Sequence, residues 1–479
     1  MSTPAKYEVV IGLEIHAQMN TKTKLFCRCD NDSFNKKPNS NICPICLGYP
    51  GQLPILNAKA IEKGILTGLA LNCEIAESSK FDRKQYFYPD LPAGFQISQY
   101  DEPLCLKGSI EIPLESGTKN IGITRIHLEN DAGKLTHTRF GTLCDYNRAG
   151  TPLMEIVSEP DMRTIEEASN YAREIQKIVR YVGTSDADME KGHMRFDINV
   201  SLRPIGQKEL GTKVEIKNLN SFTALEKALE YEIKRQAAML DAGEEISQET
   251  RGWDDSKLET QSQRSKEQAH DYRYFPEPDL PPIILTKDEI ATYKDQIPEL
   301  PRAKFLRFVN DFSLSEEDAR ILTAEYAKAH YFETVESIIK DAKLAVSFIN
   351  TILTKKLSDD ELNFANSPIT AEQLGELLAL VKNGTISNNQ AKSEVIDEMY
   401  KTGDSAQTVI ERLGIKQVSN TDELKQYIQE AMAELPQAVE DYKAGKERAL
   451  GSIVGKVMQK TKGQANPALV NQLVLEMLK

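Results

Sequence analysis

The chain changes its pattern at Pro298-Glu299-Leu300-Pro301, and this change constrains the possible folds more than any other feature. Before it, short apolar runs of strand length are separated by glycine, proline and other turn residues. After it, apolar residues recur with helical spacing almost without interruption. Sheet-forming and helix-forming segments that are separated along a chain are typical of the α+β class. We therefore predict an α+β domain first, followed by a helical region.

The helical region is predicted to divide once more, near Thr402-Gly403-Asp404. A chain of 479 residues is too long for a single core. At about 150 residues per domain, roughly three domains are expected. The predicted domains are residues 1–293, 294–403 and 404–479, and the last of them is a small helical module.

The composition is that of an ordinary soluble globular protein, with 40% hydrophobic and 27% charged residues. No apolar stretch approaches the ~20 residues that span a bilayer. The first eight residues, MSTPAKYE, lack the basic segment and apolar core of a signal peptide. These features predict a cytoplasmic protein without a membrane partner.

The net charge of −13 means that any contact with nucleic acid must come from a local basic patch. One such patch lies at residues 443–479, where there are seven basic residues and two acidic ones. Lys456, Lys460 and Lys462 are its candidates for contacting an RNA backbone. A solvated helix face would show the same pattern, and the sequence leaves that alternative open.

Two apolar runs of strand length each contain a carboxylate. Glu155 lies in Pro152-Leu153-Met154-Glu155-Ile156-Val157, and Glu14 lies in Val9-Val10-Ile11-Gly12-Leu13-Glu14-Ile15-His16. A buried charge is costly unless it is paired, hydrogen-bonded or bound to a metal. The two carboxylates therefore suggest a site for a hard cation.

Strand alternation groups further polar residues with these carboxylates, because residues two apart share a face. Glu14 and His16 share one face of the first strand, and Arg125, His127 and Glu129 share a face of another. The strand from Met194 to Arg203 alternates completely, with its polar residues on one side: Arg195, Asp197, Asn199, Ser201 and Arg203. A sheet with one solvated face is the alternative. The residue types present, however, are those that bind Mg²⁺ and phosphate.

Four cysteines have the spacing of a metal site: Cys27 and Cys29 form a CxC pair, and Cys43 and Cys46 form a CPxC pair followed by Leu-Gly. In a reducing compartment this spacing favours tetrahedral Zn²⁺ over disulfides. With four thiols as ligands the metal would be structural. The other three cysteines, Cys73, Cys105 and Cys144, show no such pattern and are predicted to be ordinary thiols.

The common nucleotide-binding and hydrolase motifs are absent from the sequence. There is no GxxxxGK[ST] loop, no GxGxxG and no GxSxG. If the chain handles a nucleotide, it must do so with a metal and a cradle of polar strand residues.

Several long strings of residues, in order along the whole chain, resemble the B subunits of tRNA-dependent amidotransferases (GatB of the GatCAB complex). They are VIGLEIH at 10–16, KFDRKQYFYPD at 80–90, QISQ at 96–99, HLENDAGK at 127–134, residues 145–156, KNLNSF at 217–222, HDYRYFPEPD at 270–279 and KGQANP at 462–467. The resemblance implies a cradle domain built on an antiparallel sheet with flanking helices, then a helical domain and a tail domain that binds tRNA.

The resemblance also implies a reaction. ATP phosphorylates the side-chain carboxylate of Asp or Glu misacylated onto tRNA(Asn) or tRNA(Gln), and ammonia then displaces phosphate. An amidase A subunit releases the ammonia from glutamine, and a small C subunit completes the heterotrimer. Phosphoryl transfer requires Mg²⁺ to bring the anions together.

By the same resemblance, particular residues are expected to carry this chemistry. Mg²⁺ is placed at Glu14, His16, Glu129 and Glu155, of which the three carboxylates also bind the ATP cofactor. Asp197 is a candidate for a second cation or for the ammonium proton. Lys84 and Arg148 are cationic candidates near the phosphates, although a salt bridge from Arg148 to Asp145 is an equally plausible structural role.

This chain departs from the family at Asn130, where many relatives have a second Glu, so any family role of that residue is in doubt here. A tRNA-binding scaffold without catalytic activity is the alternative from a different functional class. The archaeal relative restricted to Glu-tRNA(Gln) carries a large additional domain, for which 479 residues leave no room. The motifs favour the amidotransferase over both alternatives.

Overall fold

The computed structural model describes residues 6–265, 272–415, 421–443, 446, 448–461, 465 and 467–478. The chain divides into two compact units, Met1–Leu300 and Pro301–Lys479. The first contains the sheets and the second is helical, so the predicted α+β class is confirmed. The three-domain division remains a prediction.

Within the described residues, nine strands of the first unit form one large sheet. They are β1 (Tyr7–Gln18), β2 (Glu74–Ile75), β6 (Cys105–Leu114), β7 (Gly117–Asn130), β10 (Pro152–Ser158), β11 (Met194–Pro204), β12 (Val214–Leu219), β13 (Glu249–Asp254) and β14 (Glu259–Ser265). Their order in the sheet is β14-β13-β12-β11-β1-β10-β7-β6-β2. Neighbouring strands are antiparallel, except that β12 and β13 are parallel.

The described part of this unit also contains three small sheets. Their strands are β3 (Ser78–Ser79), β4 (Asp82–Gln85), β5 (Phe95–Ser98), β8 (Lys134–Thr138), β9 (Gly141–Asp145), β15 (Phe275–Pro276) and β16 (Ile283–Ile284). They pair as β15-β4-β5, as β16-β3 and as the hairpin β8-β9.

The helices of this unit are α1 (Ala58–Ala70), α2 (Ile165–Tyr181), α3 (Phe222–Asp241) and α4 (Lys287–Lys294). The side chains of Thr164 and Ser221 cap α2 and α3 by accepting backbone N–H bonds, which satisfies donors that would otherwise lack partners. Helices α1, α2 and α3 contribute to the same buried apolar cluster as Ile11, Leu13 and Ile15 of β1. One face of the sheet is thereby covered, and the polar residues of β1 lie on the other face.

The second unit is built from short helices: α5 (Pro301–Phe312), α6 (Glu316–Leu322), α7 (Tyr326–Ile339), α8 (Ala342–Phe348), α9 (Thr354–Asp359), α10 (Ala371–Lys382), α11 (Asn388–Gln390), α12 (Ile396–Thr402), α13 (Ala406–Leu413), α14 (Thr421–Glu434), α15 (Pro436–Lys443), α16 (Ala449–Lys460) and α17 (Pro467–Leu478). Its described residues form two apolar clusters, one from Phe308 to Ile415 and one from Leu424 to Leu478. Helix α13 packs into the first cluster. No helix among the described residues is both long and apolar enough to cross a membrane.

Two lysines of the second unit, Lys304 in α5 and Lys328 in α7, are equally buried, at 5% exposure, but differ in their partners. Lys304 contacts the carboxylate of Glu333 at 2.8 Å. Lys328 lies over the ring of Phe364 at 5.4 Å and forms no ion pair with any described residue. Burial lowers the pKa of Lys328 from 10.5 to about 8.

Replacing Lys328 by methionine is therefore expected to stabilise the protein by about 1–2 kcal/mol at neutral pH. Between pH 8 and 10.5 the unfolded chain binds more protons at Lys328 than the folded chain, so wild-type stability rises with pH. The advantage of the variant should consequently shrink across that window in denaturant unfolding. Lys304→Met is the matched control and should be destabilising, because it leaves Glu333 without this partner. Equal effects of both substitutions would contradict the interpretation that Lys328 is a buried charge without an ion pair.

Candidate active site

A polar cavity of about 470 Å³ lies on the uncovered face of the large sheet. Strands β1, β7, β10, β11 and β12 supply its charged floor, and β4 with the segment before β15 supplies Lys84 and tyrosines. Six of the seven predicted catalytic residues line the cavity: Glu14, His16, Lys84, Glu129, Glu155 and Asp197. The seventh, Arg148, contacts Asp131 of its lining.

Strand register places His16, Glu155 and His127 in one row. Glu155 of β10 lies opposite His16 of β1 on one side and opposite His127 of β7 on the other. Its Oε2 atom is 3.3 Å from His16 Nε2 and 3.2 Å from His127 Nε2. Glu129 also approaches His16, since its Oε1 atom is 3.8 Å from His16 Nε2. His16, Glu129 and Glu155 thus offer ligand atoms within 4.8 Å of one another.

The electrostatics of this group are dominated by the contacts of Glu155 with two histidines. Burial acts to raise the pKa of Glu155, but the positive charges of His127 and His16 outweigh it and hold that pKa well below its usual range. Burial acts to lower the pKa of His16, and the charge and hydrogen bond of Glu155 reverse that effect and raise it. His16 Nδ1 is buried without a hydrogen-bond partner among the described residues.

Glu14 belongs to a second group instead. It lies opposite Asp197 in the register of β1 with β11, and Glu14, Asp197 and Glu215 have ligand oxygens within 4.8 Å of one another. Burial, and then the charges of Glu155 and Asp197, raise the pKa of Glu14. Lys217 contacts this group, with Nζ 3.2 Å from Asp197 and 3.3 Å from Glu215. The four residues predicted to bind one Mg²⁺ are therefore divided between two neighbouring groups.

Lys84 is half-buried and faces the first group. Burial acts to lower its pKa, but the negative charge of Glu129, with smaller contributions that include Glu155, raises it overall. Its ammonium lies over the rings of Tyr272 and Tyr86, at 4.6 Å and 5.6 Å from the centroids. Lys84 is thus a charged group that lies against the faces of two aromatic rings.

Arg148 forms its salt bridge with Asp131, and not with Asp145 as considered from the sequence. Its Nε is 3.2 Å from Oδ2 of Asp131, and its guanidinium also donates to the carbonyls of Ala132 and Gly133. Asp145 instead accepts backbone N–H bonds from Asn39 and Asn147. The charges of Arg148 and Arg195 lower the pKa of Asp131 in spite of burial, which acts to raise it. Arg148 therefore joins the ends of the segment between β7 and β10.

Asn130, where the sequence departs from the family, joins two strands. Its Oδ1 accepts the N–H of Ile97 at 2.7 Å, and its carbonyl accepts from Gln96 at 2.9 Å. It lines a second cleft, of about 330 Å³, which lies beside the cysteines and shares Asp131 with the polar cavity. An amide oxygen can accept this N–H in place of a carboxylate, and Asn130 does not belong to the lining of the polar cavity.

The four predicted metal cysteines converge, since the Sγ atoms of Cys27, Cys29, Cys43 and Cys46 lie within 4.8 Å of one another. The backbone N–H of Cys43 donates to Cys46 Sγ at 3.2 Å, and Lys24 Nζ donates to it at 3.7 Å. Hydrogen bonding from the Cys27 thiol is the main cause that lowers the pKa of Cys46 to about 5. The donor set fits Zn²⁺, which binds four thiolates in a closed structural site.

The loop that carries the four cysteines, residues 27–48, is hydrogen-bonded to the turn that precedes Glu155. Gly48 has φ +65°, and a Cβ there would lie 2.6 Å from the backbone of Ala93, so only glycine fits. Asn147 accepts the N–H of Asn41 and donates to the carbonyl of Lys37, while Asn39 donates to the carbonyl of Cys144. These bonds tie residues 37–41 to the segment that leads into β10.

The predicted RNA-contacting lysines of the tail are engaged within the second unit. Lys456 contacts Glu434 at 3.0 Å, and Lys460 contacts Glu430 and Glu434 at 2.9 Å and 2.7 Å. Lys462 lies outside the described residues. A role of these lysines in RNA binding remains a prediction.

Several cavity residues received no individual role in the sequence analysis, among them His127, Glu215, Lys217 and Tyr272. Alternation groups His127 with Glu129 on one strand face, but it does not show that His127 lies opposite Glu155 across the sheet. Glu215 and Lys217 also alternate on one face of β12 and could have been grouped with Asp197. Tyr272 approaches Lys84 through tertiary structure, and no local pattern indicates it.

Comparison with known proteins places these residues in a family. The model of the GatB/GatE catalytic domain matches residues 9–291, and that of the GatB domain matches residues 330–478. The chain is also similar to proteins named as the B subunit of aspartyl/glutamyl-tRNA(Asn/Gln) amidotransferase. It is 51% identical to that of Caldanaerobacter subterraneus subsp. tengcongensis, with 99% of each chain covered. It is 49% identical to that of Gloeothece citriformis, with 99% of this chain and 98% of the relative covered. To that of Persephonella marina it is also 49% identical, with 99% and 100% covered.

Proposed function

Because the chain belongs to the family of aspartyl/glutamyl-tRNA(Asn/Gln) amidotransferase B subunits, we propose that its polar cavity carries out the ATP-dependent step of the reaction. In this step the side-chain carboxylate of a misacylated Asp-tRNA(Asn) or Glu-tRNA(Gln) attacks the γ-phosphorus of ATP and ADP leaves. Ammonia then attacks the acyl carbon and inorganic phosphate leaves, so that an amide replaces the carboxylate.

The observation that carries this proposal is the convergence of His16, Glu129 and Glu155 in a buried cavity that also contains cations. Phosphoryl transfer between two anions depends on positioning and on neutralising charge, and there is little covalent chemistry for the protein to perform. A cavity that holds carboxylates beside fixed cationic groups provides both. The absence of a P-loop in the sequence is consistent with a site of this kind.

Mg²⁺ fits the donor set at either group of the cavity. Glu129 and Glu155 provide the oxygens that a hard cation prefers, and His16 adds a nitrogen, which is a less usual ligand. Glu14, Asp197 and Glu215 provide three carboxylates, although Lys217 already neutralises part of their charge. The cation would screen the phosphate charges and orient the nucleotide.

The protein groups around the cation have separate tasks in this proposal. Lys84 binds the transferred phosphoryl group from the aromatic side of the cavity, and Arg195, next to Asp131, adds charge at the floor. Asp197 accepts a proton from the ammonium ion, so that neutral ammonia is the nucleophile. Arg148 acts at a distance by fixing the segment before Glu155.

The proposed reaction also requires partner subunits and a tRNA, and the cysteine cluster provides a site for a metal ion. We propose an amidase A subunit as the source of ammonia, a small C subunit, and tRNA(Asn) or tRNA(Gln) as the carrier. We further propose that Zn²⁺ occupies the four-cysteine cluster in a structural role.

The reconstituted heterotrimer tests the proposal. With ATP, Mg²⁺ and misacylated tRNA but no ammonia donor, we expect ADP and an acyl phosphate that hydroxylamine traps as a hydroxamate on the tRNA. Adding ammonia should convert the aminoacyl group to its amide with release of phosphate. Asp-tRNA(Asn) and Glu-tRNA(Gln) are assayed separately, since each is a possible substrate. Amidation without ATP cleavage would contradict the phosphorylation step, and complete inactivity with intact tRNA binding would favour a scaffold.

A further inference from the structure

Two neighbouring cations on β4 are held in opposite ways. Arg83 is locked in a bidentate pair with Glu277, at 2.7 Å and 2.8 Å, and contacts Asp279 at 3.2 Å. Lys84 points to the other side of the strand, into the polar cavity. Among the described residues its ammonium forms no ion pair and no hydrogen bond, although Glu129 and Glu155 line the same cavity. A lysine that faces two carboxylates in one cavity and contacts neither requires an explanation.

The groups that do surround Lys84 are tyrosine rings. Its Nζ lies 4.6 Å from the centroid of Tyr272 and 5.6 Å from that of Tyr86. These two rings meet edge to face, with centroids 5.8 Å apart and planes at 68°. Tyr274 contacts Tyr272 edge to face at 6.1 Å, and stacks on Tyr100 at 4.3 Å. We name Tyr86 and Tyr272 the tyrosine box.

Long-range strand pairing assembles the tyrosine box. β15 is antiparallel to β4, with Phe275 opposite Arg83, so the residues just before Phe275 run back alongside Lys84 and Tyr86. Tyr272 therefore reaches the cavity from a segment almost 190 residues further along the chain, as the numbering shows. The contact depends on the small sheet β15-β4-β5.

A cation over an aromatic face gains electrostatic energy without being neutralised. Had the ammonium closed onto Glu129 or Glu155, its charge would be satisfied and unavailable to a ligand. Held over the rings, it keeps its full charge at the edge of the cavity. Phosphoryl oxygens are strong acceptors for such a group.

We propose that the tyrosine box is a positioning device, which holds the ammonium of Lys84 away from the cavity carboxylates so that it can bind an anionic phosphoryl group. This inference rests on the proposed function and extends it, because it assigns Tyr86 and Tyr272 to the phosphoryl-transfer step. Neither tyrosine reacts; each acts through Lys84.

Stepwise fluorination tests the inference without changing the shape of the side chain. In the reconstituted heterotrimer, Tyr272 is replaced by phenylalanine and then by mono-, di- and trifluorophenylalanine, which progressively weaken the negative face of the ring. Tyr272→Phe should retain most of the wild-type kcat for tRNA-dependent ADP formation. The fluorinated series should lower kcat progressively, by about 3- to 30-fold in total, as expected for loss of a desolvated cation–π contact. The KM for misacylated tRNA and the thermal midpoint should not change.

The same series at Tyr100 is the matched control. Tyr100 lines the cavity and stacks on Tyr274, and no cation lies over its ring among the described residues. It should show no trend. A flat series at Tyr272 in an enzyme whose wild type forms ADP would overturn the role of the tyrosine box alone. If the wild type forms no ADP with either misacylated tRNA, the proposed function itself fails.

Discussion

Replacing Glu155 by glutamine should lower tRNA-dependent ADP formation and amidation by about 100- to 1,000-fold, the range found when one preorganised electrostatic contact of an active site is lost. The amide has nearly the size of the carboxylate but no charge. His16 and His127, which both lie within 3.3 Å of Glu155 Oε2, would lose their anionic partner. The site would also lose one of the carboxylates proposed to hold Mg²⁺.

This experiment is done with the heterotrimer and free ammonia, so that a defect in glutamine hydrolysis cannot contribute. Binding of misacylated tRNA should be retained, since the substitution is isosteric. The thermal midpoint should fall, because the charge of Glu155 stabilises the folded state through His16 and His127. Glu111→Gln, at an exposed position of β6 outside the cavity, is the matched control and should be fully active. Amidation by Glu155→Gln at the wild-type rate would contradict a catalytic role of the group formed by His16, Glu129 and Glu155.

Loss of the metal from the cysteine cluster is expected to have the second-largest effect. The purified protein should contain one zinc ion per chain, and chelation or Cys29→Ser should lower the thermal midpoint by at least about 5 °C, because structural zinc contributes its binding free energy to folding. Activity should fall as well. The loop that carries the cysteines is hydrogen-bonded to Asn147 and to the carbonyl of Cys144, just before the strand of Glu155.

Cys144→Ser is the control for this prediction, because Cys144 lies in β9 outside the cluster. It should leave zinc content unchanged. Metal-free protein with the stability of the wild type, or thiol titration showing two disulfides among the four cluster cysteines, would refute a structural zinc.

Much of the first unit can be predicted from local patterns. Apolar periodicity and capping residues predict helices at residues 165–182 and 221–240, and helices α2 and α3 occur at Ile165–Tyr181 and Phe222–Asp241. These signals are local, so they hold without knowledge of the fold. The alternation that puts Glu14 and His16 opposite Ile11, Leu13 and Ile15 is equally local, and the buried isoleucines show that it holds.

The partners of individual charges cannot be predicted in the same way. Arg148 pairs with Asp131 rather than with Asp145, which is three residues away, because Asp145 is occupied by backbone N–H groups. Glu14 joins Asp197 and Glu215, since it lies opposite Asp197 in the strand register, while His16 lies opposite Glu155. A register is decided by pairing across the sheet, and alternation within one strand carries no information about it.

The α+β class, the polar face of each strand and the cysteine quartet can be read from short segments, because periodicity and ligand spacing are local properties. Which polar residues meet depends on how distant segments pack together. Strands far apart in the chain had to pair for His16, Glu129 and Glu155 to converge, and β15 had to pair with β4 for Tyr272 to reach Lys84. Those contacts join distant segments, and their geometry exists only once the whole unit has folded.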